Sequence, residues 1–162
     1  MAFCSITGKS LNVLVKTRRS VEVSLVESKW NLAKLDVDSI LKEVKFNSDG
    51  LVPAIAQQFD SGEVLMMAWM TAESIRETLK SNRAVYYSRS RKELWRKGDT
   101  SGQHQHVHDF KIDCDGDTVL LTVDQLGVAC HTGRRSCFYL GVRDNGLEEI
   151  APVVIDPDKL YS

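Results

Sequence analysis

From Lys45 onward, turn-forming clusters cut the chain into short runs, and this punctuation restricts the fold more than any other feature. Asn47-Ser48-Asp49-Gly50 and Asp60-Ser61-Gly62 each combine residues that favour tight turns. Around them, Leu51–Gln57 and Glu63–Met70 read as strands. Pro53 then stands near a strand start or at an edge, because it cannot donate to a ladder. The Met-rich run Met66, Met67 and Met70 reads as core rather than as a binding box. Thr71 caps a helix through about Ser81, with Ile75 and Leu79 four apart on one face. Arg83–Ser90, Gln103–Asp113, Thr118–Leu126 and Ser136–Arg143 read as further strands. Upstream, Asp36–Val44 reads as a short helix capped by Asp36 or Asp38, with Ile40, Leu41 and Val44 inward. Many strands with few helices predict an α+β domain of mixed or antiparallel strands.

A chain of 162 residues is long enough for one domain with a sizeable core. A net charge of -1 gives no field that would favour nucleic acid or an anionic membrane. No apolar run approaches the roughly 20 residues needed to span a bilayer. Four unevenly spaced cysteines do not make a disulfide framework, so a reducing compartment such as the cytoplasm fits. Met1–Val21 lacks Asp and Glu but carries Lys9, Lys16, Arg18 and Arg19, a composition shared with plastid transit peptides. The period-two runs Leu11, Val13, Val15 and Val21, Val23, Leu25 favour instead a strand-forming appendage.

The chemistry concentrates in Asp113-Cys114-Asp115-Gly116-Asp117 and in Cys130-His131-Thr132-Gly133-Arg134-Arg135-Ser136-Cys137. Thiolates are soft ligands suited to zinc, and carboxylates suit a harder ion such as magnesium. On an extended strand Cys114 would face one way and Asp113 and Asp115 the other, keeping two metal sites close but separate. Three thiolates leave zinc one position short of a tetrahedron, as a catalytic site does. The spacing is not that of a zinc ribbon or finger. The alternatives are three thiols with no metal and a solvated acidic turn. His131, beside Cys130, suits proton transfer near neutral pH. His104, His106 and His108 would share one face of a strand, about 7 Å apart. Three such side chains meet on one ion only with distortion, so they read as surface or rim histidines.

A basic stretch supplies the other half of a site. Arg83, Arg89, Arg91, Lys92, Arg96 and Lys97 are interrupted by a single acid, Glu93. Gly98 and Gly102 let the backbone approach a ligand, and Thr100 and Ser101 add donors. Together they suit a phosphate, with Trp95 covering a flat ring or packing. The alternative is a solvated basic hairpin, and neither a Walker loop nor a dinucleotide fingerprint is present. Zinc-activated water attacking C6 of an adenine ring is deaminase chemistry. The deaminase signatures H-x-E and P-C-x-x-C are absent, which leaves ring opening as an alternative to loss of ammonia.

Asp-Cys-Asp-x-Asp followed by Cys-His-Thr-Gly-x-Arg-Ser-Cys-Phe resembles phosphoribosyl-AMP cyclohydrolase of histidine biosynthesis. Gly50–Ala54, Gly62–Met66, Tyr87–Arg91 and Trp95–Gly102 extend the resemblance over about Val44–Val142. It implies hydrolytic opening of the adenine ring between N1 and C6, zinc and magnesium as cofactors, and an intertwined homodimer. Cys114, Cys130 and Cys137 would be the zinc ligands, Cys114 from one subunit and the other two from its partner. Asp113, Asp115 and Asp117 would hold magnesium, and His131 would transfer protons. Arg89, Trp95, Lys97, Gly98, Thr100, Ser101, Arg135 and Ser136 are the expected substrate contacts. Many relatives carry His where this chain has Gln103, with His104 next. Residues 1–44 fall outside the pattern as an extension of unknown role, leaving 45–162 as the enzyme domain. No pyrophosphohydrolase domain follows Ser162, so a stand-alone enzyme is expected, which weakens the transit-peptide reading. The rival is a non-catalytic zinc module, which a fourth protein ligand on zinc would favour.

Overall fold

The structure, a computed structural model, describes Trp30 and residues 34–161. The expectations for the acid-free N-terminus lie outside the described residues. The first helix, α1 (Val37–Glu43), begins where Asp36 accepts the Ser39 amide at 3.1 Å. Its inner side chains Ile40 and Leu41 are half-buried, and Val44 beyond its end is buried, as expected. Leu35, Val37, Ile40 and Leu41 pack on the main core, so this segment belongs to the same body as the sheet.

A six-stranded sheet follows, built from β1 (Val52–Gln58), β2 (Val64–Met70), β3 (Val85–Ser88), β4 (Glu93–Arg96), β5 (Gln105–Ile112) and β6 (Val119–Gln125). The spatial order is β4-β3-β2-β1-β6-β5, and only β1 and β6 run parallel. Pro53 is tolerated in central β1 because it precedes the β6 ladder, which begins at Ala54. The sheet curls back on itself: Arg83 bridges His106, the Ala84 amide reaches the Gln105 carbonyl, and the Val107 amide reaches that of Asn82.

Strict alternation builds the interior. Val52, Ala54 and Ala56 of β1 and Val119, Leu121 and Val123 of β6 all face the core. Ala54 lies beside Val119 and Ala56 beside Leu121, so small side chains meet larger ones. Helix α2 (Ala72–Ser81) closes this core with Ile75 and Leu79. Its capping box is reciprocal: Ser74 N–H donates to Thr71 Oγ1 at 3.2 Å, and Thr71 N–H to Ser74 Oγ at 2.8 Å.

Two expected strands are shorter than the sequence suggests, and one region is differently organised. Arg83–Ser90 contributes only Val85–Ser88, then turns at Lys92 (φ 57) into β4, so the basic run is a hairpin. Ser136–Arg143 is strand only from Leu140, as β7 (Leu140–Arg143), which pairs with β8 (Gly146–Glu149). Ahead of it the backbone crosses β2: Cys137 N–H donates to the Leu65 carbonyl at 2.7 Å and Ser136 Oγ to that of Val64 at 2.8 Å. No helix among the described residues is long and apolar enough to cross a membrane.

Candidate active site

A cleft of about 520 Å³ opens over β2, β3 and β4. Its walls include Trp95, Lys97, Gly98, Thr100 and Ser101 on one side and His131 and Cys137 on the other. The basic stretch and the cysteine segment, 36 positions apart at Trp95 and His131, therefore meet in space. Trp95 packs and also stands in the cleft wall. Its ring packs tilted on Tyr86, 5.7 Å between centroids, while its other surface lines the cleft.

Gly98, in the cleft wall, is required by its own neighbourhood. At φ +87 an added Cβ would stand 2.5 Å from His104 Nδ1 and 2.6 Å from the Gln103 and His104 backbone. The loop 98–104 folds tightly over itself there, and this presents Thr100 and Ser101 to the cleft. Lys97 is only 5 % exposed. Burial lowers its pKa, and the neighbouring Cys137 and Cys130 thiols oppose that by favouring the ammonium. Its Nζ donates to the Gln103 carbonyl at 3.2 Å.

Cys130 is buried beneath the cleft, with Sγ 3.0 Å from Thr132 Oγ1. Cys137 presents surface to the cleft, yet burial of its thiol pushes its pKa up to about 12, helped by charge repulsion from Cys130 and a hydrogen bond with it. The two thiols are thus paired. Cys114 is exposed on the β5–β6 turn, at the other end of β6 from Cys130. Across seven residues of strand that separation is roughly 20 Å. Among the described residues, one chain therefore offers a soft metal two adjacent thiols, not three.

The Asp113–Asp117 stretch is a turn, not the extended strand of the sequence expectation, because β5 ends at Ile112. The Asp113 amide meets the Thr118 carbonyl at 3.0 Å, and Gly116 (φ +84) sits against the Glu43 carbonyl, where a Cβ would be 2.4 Å away. This turn gathers Asp113, Asp115 and Asp117, with ligand oxygens within 4.8 Å of one another; it is the one such cluster among the described residues. Desolvation pushes Asp113 up, but hydrogen bonds from the Thr118 amide and with Asp115 and Asp117 outweigh it and hold the carboxyl below its ordinary value. Three converging carboxylates fit a hard divalent cation.

The remaining expected contacts lie elsewhere. Arg89 stacks on Trp69 at 4.9 Å. Arg135 donates to the carbonyls of Gln125 and Gly127 at 3.1 and 2.9 Å, beside Glu63. The Ser136 hydroxyl is spent on the β2 carbonyls. The three alternating histidines do not form one row: His106 and His108 meet edge to face at 5.3 Å, while His104 lies ahead of β5 and a bulge between Val107 and Asp109 shifts the ladder. His108 is buried and stacked on Phe59 at 4.4 Å, so it is no rim residue, while His104 Nδ1 lies 2.7 Å from Arg83. Sequence reasoning missed Met67, Ser88 and Tyr161 as cleft residues. Met67, 46 % exposed, carries a signal in hindsight, because it alternates with the buried Met66.

A family model described as phosphoribosyl-AMP cyclohydrolase matches residues 66–139, which include the cleft stretch, the acidic turn and both paired cysteines. Similar curated proteins carry the same name. One from Paramagnetospirillum magneticum is 64% identical over 130 residues, covering 80% of this chain and 98% of the relative. One from Rhodospirillum centenum is 62% identical over 125 residues, 77% and 94% respectively. One from Pseudomonas savastanoi pv. phaseolicola is 54% identical over 123 residues, 75% and 95%. At such identity over nearly the whole of each relative, the chain belongs to the phosphoribosyl-AMP cyclohydrolase family.

Proposed function

We propose that this protein opens the adenine ring of phosphoribosyl-AMP by hydrolysis, a step of histidine biosynthesis carried out in the cytoplasm. The observation that carries this reading is the single cleft joining Trp95, Lys97, Thr100 and Ser101 to His131 and Cys137. The first group suits a phosphorylated, flat-ringed substrate, and the second suits attack by water. Water oxygen adds to C6, the N1–C6 bond breaks, and N1 takes a proton, giving the formimino-aminoimidazole carboxamide ribotide. His131 accepts a proton from the attacking water and returns one to the departing nitrogen. Lys97 and the donors of Thr100 and Ser101 hold phosphate or ribose, and Trp95 covers the ring.

Cys130 and Cys137, with Cys114 from a second copy, would hold zinc, whose chemistry when bound is Lewis-acid activation of water. Asp113, Asp115 and Asp117 would hold magnesium against the substrate phosphates. A homodimer is supported by the apolar surface around the β7–β8 hairpin. Phe138, Leu140, Val142, Leu147 and Val154 are all exposed there, Val142 at 79 %. A cluster of exposed large apolar side chains of this kind suits a protein–protein contact. The rival, a purely structural zinc module, gives no reason for an open cleft beside the paired thiols.

The test is turnover of phosphoribosyl-AMP by the purified protein, with product identified by mass, before and after zinc removal. Ring-opened product that disappears on chelation and returns with zinc is expected. Intact substrate after prolonged incubation with the zinc-loaded protein would refute the assignment.

A further inference from the structure

We propose that Gln103 is a positioning residue whose side chain fastens the loop bearing Thr100 and Ser101 to the segment leading into Cys130 and His131. The inference rests on the proposed role of the cleft and goes beyond it, because Gln103 itself is not among the residues that line the cleft. Its Oε1 accepts the Val128 amide at 3.0 Å, and its Nε2 donates to the Ser101 carbonyl at 3.0 Å. Its own carbonyl accepts from Lys97 Nζ at 3.2 Å and Gln125 Nε2 at 3.3 Å. One residue therefore ties together the phosphate side of the cleft, its buried lysine and the approach to the paired thiols.

A directional chain of buried amides stands behind this clamp. Tyr86 O–H donates to Gln105 Oε1 at 2.7 Å, and Gln105 Nε2 donates to Gln125 Oε1 at 2.8 Å. Gln125 Nε2 then faces the carbonyls of Gln103, His104 and Leu126 at 3.3, 3.2 and 2.6 Å. Only an NH₂ group can face three carbonyls, so the orientation of each amide is fixed. Tyr86 and Gln105 are fully buried, where a satisfied chain is stiff and a broken one costly. The fit extends to Gly127: a Cβ there would stand 1.8 Å from Gln103 Oε1. Chemistry at C6 needs the phosphate end and the reacting end of the cleft in register, and small misplacements lower rate steeply.

Two variants test this with phosphoribosyl-AMP on the zinc-loaded enzyme. Gln103→Met keeps length but removes both side-chain hydrogen bonds. It should lower kcat about tenfold with KM within about threefold and zinc content at the wild-type level, since the binding groups remain but are held out of register. Thr100→Ala removes a cleft donor without touching Gln103 and should raise KM instead. Wild-type kcat in Gln103→Met beside an impaired Thr100→Ala would overturn the clamp and leave the cleft's role standing. Zinc lost in step with activity in Gln103→Met would also overturn it. Wild-type kinetics in both Thr100→Ala and Gln103→Met would overturn the cleft reading and the clamp together.

Discussion

The Cys137 thiol offers the most direct test of the electrostatics of the cleft. Its pKa stands at about 12 in the metal-free chain, three units above the ordinary 9.0, through burial first and then through the charge of Cys130. At pH 8 the thiolate fraction is therefore about a thousandfold below that of a free thiol. A more basic thiolate is also a better nucleophile, by roughly twentyfold over three units at a Brønsted slope near 0.45. The net expectation is reaction with an aromatic disulfide about fiftyfold slower than N-acetylcysteine. Because Cys137 presents surface to solvent, screening makes fiftyfold an upper figure. The assay is peptide mapping of the zinc-free protein after timed labelling, in a Cys4→Ser background. Lys97→Met should slow labelling further, because the Lys97 ammonium favours the thiolate. Labelling of Cys137 as fast as the free thiol would refute the argument. The same shift makes zinc uptake release a proton, so apparent zinc affinity should rise with pH. The sign for stability is also fixed. A raised folded pKa means that the metal-free fold keeps this contribution below about 9, where the unfolded thiol titrates, and loses it as pH rises towards 12.

Gly98→Ala forces a side chain into φ +87 against the Gln103–His104 backbone. Left-handed backbone alone costs about 1–2 kcal/mol, so Tm should fall by roughly 2–8 °C with reduced activity; a wild-type melting curve would contradict this. Asp115→Asn should raise the magnesium concentration needed for half-maximal activity, and an unchanged magnesium dependence would leave the acidic turn a mere turn. Cys114→Ser subunits mixed with Cys137→Ser subunits should recover part of the activity, because in each heterodimer one shared site keeps all its thiolates. No recovery, with subunit exchange shown by a tag, would mean that each zinc site comes from one chain.

Local signals carried the fold as far as local interactions decide it. Thr71, Ile75 and Leu79 mark α2 because capping and spacing are properties of neighbouring residues. The turn clusters mark β1 and β2 for the same reason. Ser136–Tyr139 is apolar enough to read as strand, but the Val64 and Leu65 carbonyls capture Ser136 and Cys137 first, a long-range event without a local pattern. The ladder is irregular at His108, whose ring stacks on Phe59, a partner far away in sequence, as well as meeting His106. In the cleft, Trp95, Lys97, Thr100 and Ser101 were legible because basic, hydroxyl and glycine residues cluster in sequence. Tyr161 was not, because it arrives from the far end of the chain. Arg89 and Arg135 were legible as cations only; a charge does not reveal that its partner will be the Trp69 ring or the carbonyls of Gln125 and Gly127.

The placement of the thiols has a consequence for assembly on the proposed reading. Cys130 and Cys137 stand together at the cleft, and the seven residues of β6 separate them from Cys114. No rotamer change spans that distance, and β6 is held on both sides by β1 and β5 through its length. Among the described thiols, a third can thus reach the pair only from another molecule. Two thiols alone hold zinc more weakly than three, and Cys137 resists ionising until a cation lies beside it. A lone subunit would therefore bind zinc poorly, and covering the exposed β7–β8 surface and completing the metal site would be one event. Activity would then depend on protein concentration through the dimer equilibrium, and zinc would shift that equilibrium toward the dimer by mass action.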